Sequence, residues 1–254
     1  MAWLSSAALI AYRDLQRFWR NKFWLAGQVG MNIADLAVFG LIFRGIVRPD
    51  LIPDYIRFIT PGILSLSAFI SAFTIGREVG VELRREVTHY LVSLPVSRSA
   101  LVMGRILGGA VRGFVYQLPF IVLAALIMSI PTLEKWLLVL FATTALTIAM
   151  SSISMVLSTL TRDLNLQAAF RSIAYFTLFF VSNVFYPERV LELRLGSAAP
   201  VAYYSPVTMA TTIYRYAFGY TTAVNLEFNV LGLLVWVTLL VLLAYKLYLR
   251  NLIR

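Results

Sequence analysis

The sequence has no cysteine, one histidine and few charged residues. The absence of cysteine among its 254 residues excludes disulfides and thiolate metal sites. Only 13% of the residues are Asp, Glu, Lys or Arg, about half the share in an ordinary soluble domain. His89 is the only histidine, so one chain cannot build a metal site from several histidines. No metal is expected in this protein.

Signatures of catalysis are also missing. The phosphate-binding motif G-x-x-x-x-G-K-[ST] does not occur, and none of the lysines at 22, 135 and 246 lies in a glycine-rich loop. The G-x-S-x-G and H-E-x-x-H motifs are absent as well. We therefore expect no enzyme activity and no bound cofactor in this chain.

What the sequence does contain is long apolar runs. Hydrophobic residues make up 60% of the chain, and its mean hydropathy is +0.80. A membrane-spanning helix needs about 20 largely apolar residues. Six segments approach this length, which predicts an all-α polytopic membrane protein with a single transmembrane domain over residues 1–254. The predicted spans are 23–43, 58–75, 109–130, 136–160, 172–186 and 230–248.

The basic residues predict how these spans are oriented. The net charge is +10, and most of the 22 Lys and Arg residues fall in the segments before the first span, after spans two and four, and at the C-terminal end. Cytoplasmic loops of membrane proteins are enriched in these residues. We therefore expect both termini in the cytoplasm and the protein in the cell membrane. No basic stripe lies outside the membrane loops, so nucleic acid is not an expected partner.

Two amphipathic helices are predicted on the cytoplasmic side. Residues 1–22 place apolar side chains at helical spacing opposite arginines, as in helices that lie in the lipid headgroup region. Residues 77–94 alternate an apolar stripe with charges, and Pro95 ends this helix. Within it, Glu82 and Arg85 are spaced to form an ion pair.

The long external connection, 187–229, contains a further predicted helix. Ser205 and Pro206 suit the cap and the first position of a helix. The residues that follow, which include Tyr214 and Arg215, are mostly apolar and aromatic but too few to cross a bilayer. We interpret this segment as a re-entrant helix.

A few polar and small residues lie within or beside the spans. Asp35 is the only acid in a predicted span, with Asn32 one turn away, and both are candidates for the transport path, although pairing of Asp35 with Arg44 or a neighbouring helix is an alternative. Arg105 and Arg112 are expected to reach the headgroups. Glycines in 104–113 predict close helix packing, within the chain or between chains.

Several motifs, in their order and spacing, resemble the ABC-2-type permeases, the membrane subunits of a class of ATP-binding-cassette exporters. They are FITPGI, LPVSRS, GRILGGAVRG, SPVT and YRY, at 58–63, 94–99, 104–113, 205–208 and 214–216. The family usually has asparagine at the position of Ser205, and both residue types cap helices.

The resemblance implies partners and roles. The helix over 77–94 would be the coupling helix that docks on a separate ABC ATPase subunit, and residues 1–22 would be the connecting helix beside it. The residues implied in ATPase coupling are Arg84, Arg85, Glu86, His89, Tyr90 and Leu91. ATP and magnesium would bind to the ATPase subunit. Such permeases work as dimers, so a second permease subunit, most simply a homodimer, is implied, together with membrane lipids.

The cargo is left open by the sequence. Apolar walls suit a lipid, a lipid-linked glycan or polysaccharide, or a hydrophobic drug equally. An alternative function is a membrane transporter or channel that needs no ATPase.

Overall fold

The computed structural model describes residues 2–47, 52–85 and 87–253, and the regular elements in these ranges are helices. The first six α-helices are α1 Ala2–Arg20, α2 Lys22–Ile46, α3 Tyr55–Arg84, α4 Val87–Ser93, α5 Arg98–Ile127 and α6 Leu133–Thr159. The remaining five are α7 Leu164–Phe180, α8 Glu188–Leu195, α9 Ala199–Tyr203, α10 Pro206–Ala217 and α11 Leu226–Ile253.

Within the described ranges, five helices are long and apolar enough to cross a membrane. They are Lys22–Phe43, Tyr55–Arg84, Arg98–Ile127, Leu133–Thr159 and Leu226–Leu252. The predicted all-α polytopic membrane fold is confirmed. The segment predicted as the fifth span, 172–186, is occupied by α7, which begins earlier and ends at Phe180 after 17 residues. The count of six spans therefore stays a prediction.

Two predicted segments differ from the helices of the structure in their bounds. The helix expected over 77–94 is two elements, because α3 continues to Arg84 and α4 starts at Val87. The span expected over 109–130 is the later part of α5, which begins at Arg98. Both α3 and α5 have 30 residues, and a helix of that length is about 45 Å long, more than the roughly 30 Å of hydrocarbon. The charged ends of α3 and α5 fall outside the predicted spans because the sequence does not show how their charges are paired.

Polar side chains on α6 connect the central helices of the bundle. Ser158 Oγ donates to the carbonyl of Gly76 on α3 at 2.6 Å, and Ser151 Oγ donates to the carbonyl of Ile106 on α5 at 2.9 Å. Ser154 Oγ also donates to the Phe73 carbonyl. Small hydroxyl residues allow helices to approach closely and supply hydrogen bonds where water is absent.

The glycines of α5 face other helices of the same chain. A Cβ on Gly104 would stand 2.8 Å from the Ala7 carbonyl oxygen of α1, and one on Gly113 would stand 2.7 Å from Thr147 of α6. Within one protomer, this favours the first of the two predicted alternatives, packing inside the chain. Gly104 and Gly108 thus allow α1 to lie close against α5.

Candidate functional site

Arg105 lies at the centre of a cluster of charges between α1, α3 and α5. Its Nη1 donates to Oδ1 of Asp14 at 2.7 Å, and its Nη2 pairs with Oε2 of Glu82. All three residues are buried, Arg105 and Asp14 completely. A buried charge is tolerated when it is paired and hydrogen-bonded. Arg105 therefore connects α1 and α3 through α5.

Further pairs extend this cluster, which we call the ion network. Arg17 Nη1 lies 2.7 Å from Glu82 Oε1. Arg112 donates to both carboxylate oxygens of Glu78, at 2.7 and 3.0 Å, and to the backbone carbonyl of Asp14. The network consists of Arg13, Asp14, Arg17, Glu78, Glu82, Arg105 and Arg112.

Asp14 is the acid of the network that α1 contributes. Burial raises its pKa above the ordinary aspartate value, and the nearby guanidinium groups of Arg105 and Arg112 oppose that rise. Its Oδ2 has no hydrogen-bond partner among the described residues. Desolvation disfavours the charged form of a carboxyl group. The Asp14 carboxylate is thus held in place by its arginines against the cost of burial.

The ion network corrects two predictions. Glu82 pairs with Arg105 and Arg17, not with Arg85. Arg105 and Arg112 point into the protein instead of toward the headgroups, since they are 0% and 1% exposed. A signal was available: Glu78 and Glu82 are four residues apart and therefore share a helix face, opposite an α5 face that carries two arginines.

The residues implied in ATPase coupling surround the turn between α3 and α4. Arg84 and Arg85 are exposed at the end of α3. On α4, Tyr90 is 65% exposed, whereas Leu91 is buried where α4 packs on α3 and α11. Glu86 and the side chain of His89 lie outside the described residues. We call the exposed side chains of Arg84, Arg85 and Tyr90 the coupling surface.

A cavity of about 600 Å³ separates the coupling surface from the ion network. Arg85 and Val87 line one side of it, and Glu78, Glu82 and Arg112 line another. Arg17 of α1 and Trp24 of α2 also line it. The cavity is thus bounded by the helices that the network joins.

Asn32 and Asp35, the candidates for the transport path, both approach Tyr116 of α5. Nδ2 of Asn32 lies 3.4 Å from the Tyr116 hydroxyl and is fully buried. Asp35 is half-buried and interacts electrostatically with the hydroxyls of Tyr116 and Tyr175. No ion pair of Asp35 occurs among the described side chains, and the side chain of Arg44 is not one of them. The structure therefore brings the two residues into one polar cluster between α2, α5 and α7.

The predicted helix start at Ser205 and Pro206 is confirmed, with one difference. Pro206 is the first residue of α10, but the Ser205 hydroxyl makes no capping bond. The helix ends at Ala217, and Gly219, two residues further on, has a φ of +76°, a left-handed conformation suited to glycine. Tyr220 N–H donates to the Arg215 carbonyl at 2.8 Å across this end, which is a Schellman motif.

Helix α10 is buried on nearly all sides between α3, α6 and α11. The Tyr214 hydroxyl lies 3.1 Å from Thr143 Oγ1. Arg215 donates from Nη2 to the carbonyls of Asn183 and Phe58, at 2.8 and 3.2 Å, and its guanidinium stacks 3.8 Å from the centre of the Phe58 ring. These bonds connect α10 to the neighbouring helices. Its predicted re-entrant placement in the bilayer stays a prediction.

The fold and these sites define a multi-pass helical membrane protein with charged and polar clusters at the two ends of its bundle. A family of sequences described as ABC-2 type transporter matches residues 6–219. The chain therefore belongs to the ABC-2 type transporter family and is the permease component of an ABC transporter. ABC ATPases are the kind of partner with which such membrane domains work. No curated protein matches the sequence.

Proposed function

We propose that the chain is the permease subunit of an ATP-driven exporter. It moves a lipid, a lipid-linked glycan or polysaccharide, or a hydrophobic drug from the cytoplasm or the inner leaflet to the outside. ATP and magnesium bind to a separate ABC ATPase subunit, and this chain neither hydrolyses ATP nor binds a cofactor. The lack of a glycine-rich phosphate loop in the sequence supports this division of labour.

The observation that carries the proposal is the ion network behind the coupling surface. Leu91 is buried where α4 packs on α3 and α11, while Arg105 joins α3 and α5 to α1. A partner that pushes on α4 and the end of α3 therefore acts on three helices held together by buried charges. The ATPase changes the conformation of the permease only to the extent that it binds the two states with different affinity.

A dimer completes the proposed transporter. Helices α2 and α7 leave large apolar side chains uncovered, among them Leu41 at 69% exposure and Ile173 at 63%. Both helices also contribute to the cluster of Asn32, Asp35 and Tyr175. We propose that this face meets a second copy of the chain and lipid, with the cargo passing between the two copies. In this arrangement both termini lie in the cytoplasm and the protein lies in the cell membrane.

The test is a charge reversal at the coupling surface. Arg84→Glu with Arg85→Glu should prevent an ABC ATPase from co-purifying with the tagged permease from its native membranes, and should abolish the vanadate-sensitive ATP hydrolysis of the preparation. The matched control is Arg189→Glu with Arg194→Glu, two exposed arginines of α8 at the other end of the bundle. The control should retain both the ATPase subunit and its activity.

Two results would contradict the proposal. One is an equal yield of ATPase with both double variants, measured by mass spectrometry of the purified complexes. The other is the absence of any ABC ATPase from the wild-type preparation together with transport in its absence, which would favour the ATPase-independent transporter or channel.

A further inference from the structure

At the α10 end of the bundle, a second cavity contains a buried arginine that has no carboxylate partner. The cavity has a volume of about 360 Å³ and lies between α10, the start of α11 and the turn that precedes α8. Arg215 lines it and is 5% exposed. Among the described residues, no carboxylate lies within ion-pair distance of this guanidinium.

The charge of Arg215 is compensated only in part. Its Nε and Nη2 donate to the backbone carbonyls of Phe58, Asn183 and Val184. Carbonyl dipoles stabilise a cation but leave its net charge in place, and burying an ionised group without a counter-charge is costly. Nη1 makes no hydrogen bond to the described residues. Backbone carbonyls thus hold the Nε and Nη2 atoms of Arg215, and Nη1 remains as a donor for an anion in the cavity.

The side chains around Arg215 are also polar and buried. Asn183 is 1% exposed, and its Nδ2 donates to Thr212 Oγ1 at 2.9 Å and to Glu188 Oε1 at 3.1 Å. Its Oδ1 is buried and has no partner among the described residues, and Asn183 is one of the residues that line the cavity. Buried polar atoms are nearly always hydrogen-bonded in native proteins. Asn183 Oδ1 is therefore an acceptor available to a ligand that carries an N–H or O–H group.

Glu188 adds a negative charge at the rim of the same cavity. It is exposed, and the bond from Asn183 orients its carboxylate. A ligand that carries only an anionic group would be repelled by the Glu188 carboxylate when it binds to Arg215. A ligand with an amine next to the anionic group would be attracted to that carboxylate. Nη1 of Arg215 carries two N–H donors, and charge-assisted hydrogen bonds from a guanidinium to phosphate oxygens are strong.

We propose that this cavity is a binding site for a phosphate group bearing an amine, as in the headgroup of an ethanolamine phospholipid. The phosphate lies on Arg215, and the amine contacts Glu188 and Asn183 Oδ1. In the predicted orientation the cavity is at the outer surface. The site requires neither the ATPase nor transport, so it stands independently of the proposed function.

The experiment compares two tryptophan substitutions in the full-length protein. Ala223 is exposed and lines the cavity, so Ala223→Trp blocks it without removing a structural contact. Thr222→Trp is the matched control, since Thr222 is exposed next to it but does not line the cavity. The purified protein in detergent is titrated with dioleoyl phosphatidylethanolamine or dioleoyl phosphatidylglycerol, and retained lipid is counted by native mass spectrometry. Unchanged elution in size-exclusion chromatography verifies the fold of each variant.

The wild type and Thr222→Trp should retain one ethanolamine lipid at about tenfold lower concentration than the glycerol lipid, a difference of about 1.4 kcal/mol. Ala223→Trp should lose that bound lipid, and Glu188→Gln should bind lipid without the preference. If soluble glycerophosphoethanolamine displaces the ethanolamine lipid at a similar concentration, the same site binds a soluble ligand. If it does not displace the lipid, the ligand of the site is the bilayer lipid. Equal lipid retention by the two tryptophan variants, or tighter binding of the glycerol lipid to the wild type, would overturn the proposal.

Discussion

Each end of the helical bundle buries an arginine, and the two are compensated in different ways. Arg105 meets two carboxylates from two other helices. Arg215 meets backbone carbonyls and the face of Phe58. The first arrangement balances charge inside the protein and joins three helices, as a force-transmitting element requires. The second leaves a net positive charge beside a cavity, as a binding site requires.

The largest effect is expected from removing the arginine of the ion network. Arg105→Met leaves Asp14 and Glu82 buried without their shared partner. Breaking a buried ion pair from one side costs about 3–5 kcal/mol. We expect a loss of that size in the free energy of unfolding, measured by denaturant titration of the purified protein in detergent.

A triple variant tests whether the loss comes from stranded charges. Arg105→Met combined with Asp14→Asn and Glu82→Gln removes the three charges that meet at Arg105 together. A buried neutral amide costs less than a buried carboxylate that has lost its partner. The triple variant should therefore be more stable than Arg105→Met alone. If it is less stable, the network stabilises the fold through its geometry and not through charge compensation.

A smaller effect is expected from separating α1 from α5. A Cβ on Gly104 would stand 2.8 Å from Cβ of Ile10 and from the Ala7 carbonyl oxygen. Such overpacking costs about 1–3 kcal/mol, so Gly104→Ala should lower the free energy of unfolding by that amount. Gly27→Ala is the control, because a Cβ there meets no atom within 4 Å. Equal losses in the two variants would show that the close contact between α1 and α5 at Gly104 does not limit the stability of the protein.

At the α10 end, loss of the arginine should cost less than at the ion network. Arg215→Met leaves carbonyls of Phe58 and Asn183 without a donor but leaves no carboxylate uncompensated. An unsatisfied buried acceptor costs about 1–3 kcal/mol. We expect a destabilisation in this range, below that of Arg105→Met under the same conditions. A larger loss than for Arg105→Met would reverse the comparison between the two ends.

The two ends also differ in how well the sequence predicts them. Apolar runs and helix signals such as Pro206 and Gly219 are local, so the helical membrane fold and the limits of α10 were predictable. The charge pairs are not local. Glu82 has Arg85 three residues away, yet it bonds to Arg17 and Arg105, which are distant in sequence. The polar cluster around Tyr116 likewise depends on how α2, α5 and α7 are arranged around α3, which no spacing in the chain reveals.

The smallest expected effect concerns pH and tests the α1 side of the ion network. Burial raises the pKa of Asp14 in the folded protein. Between the ordinary aspartate pKa, about 3.9, and the raised value, the folded state binds more protons than the unfolded state. This group therefore contributes a loss of stability as pH rises through that window.

Asp14→Asn lacks this contribution, so its free energy of unfolding relative to the wild type should increase with pH. Denaturant titrations of both proteins at several pH values measure the difference. A difference that falls with rising pH would mean that Arg105 and Arg112 outweigh burial and lower the pKa of Asp14.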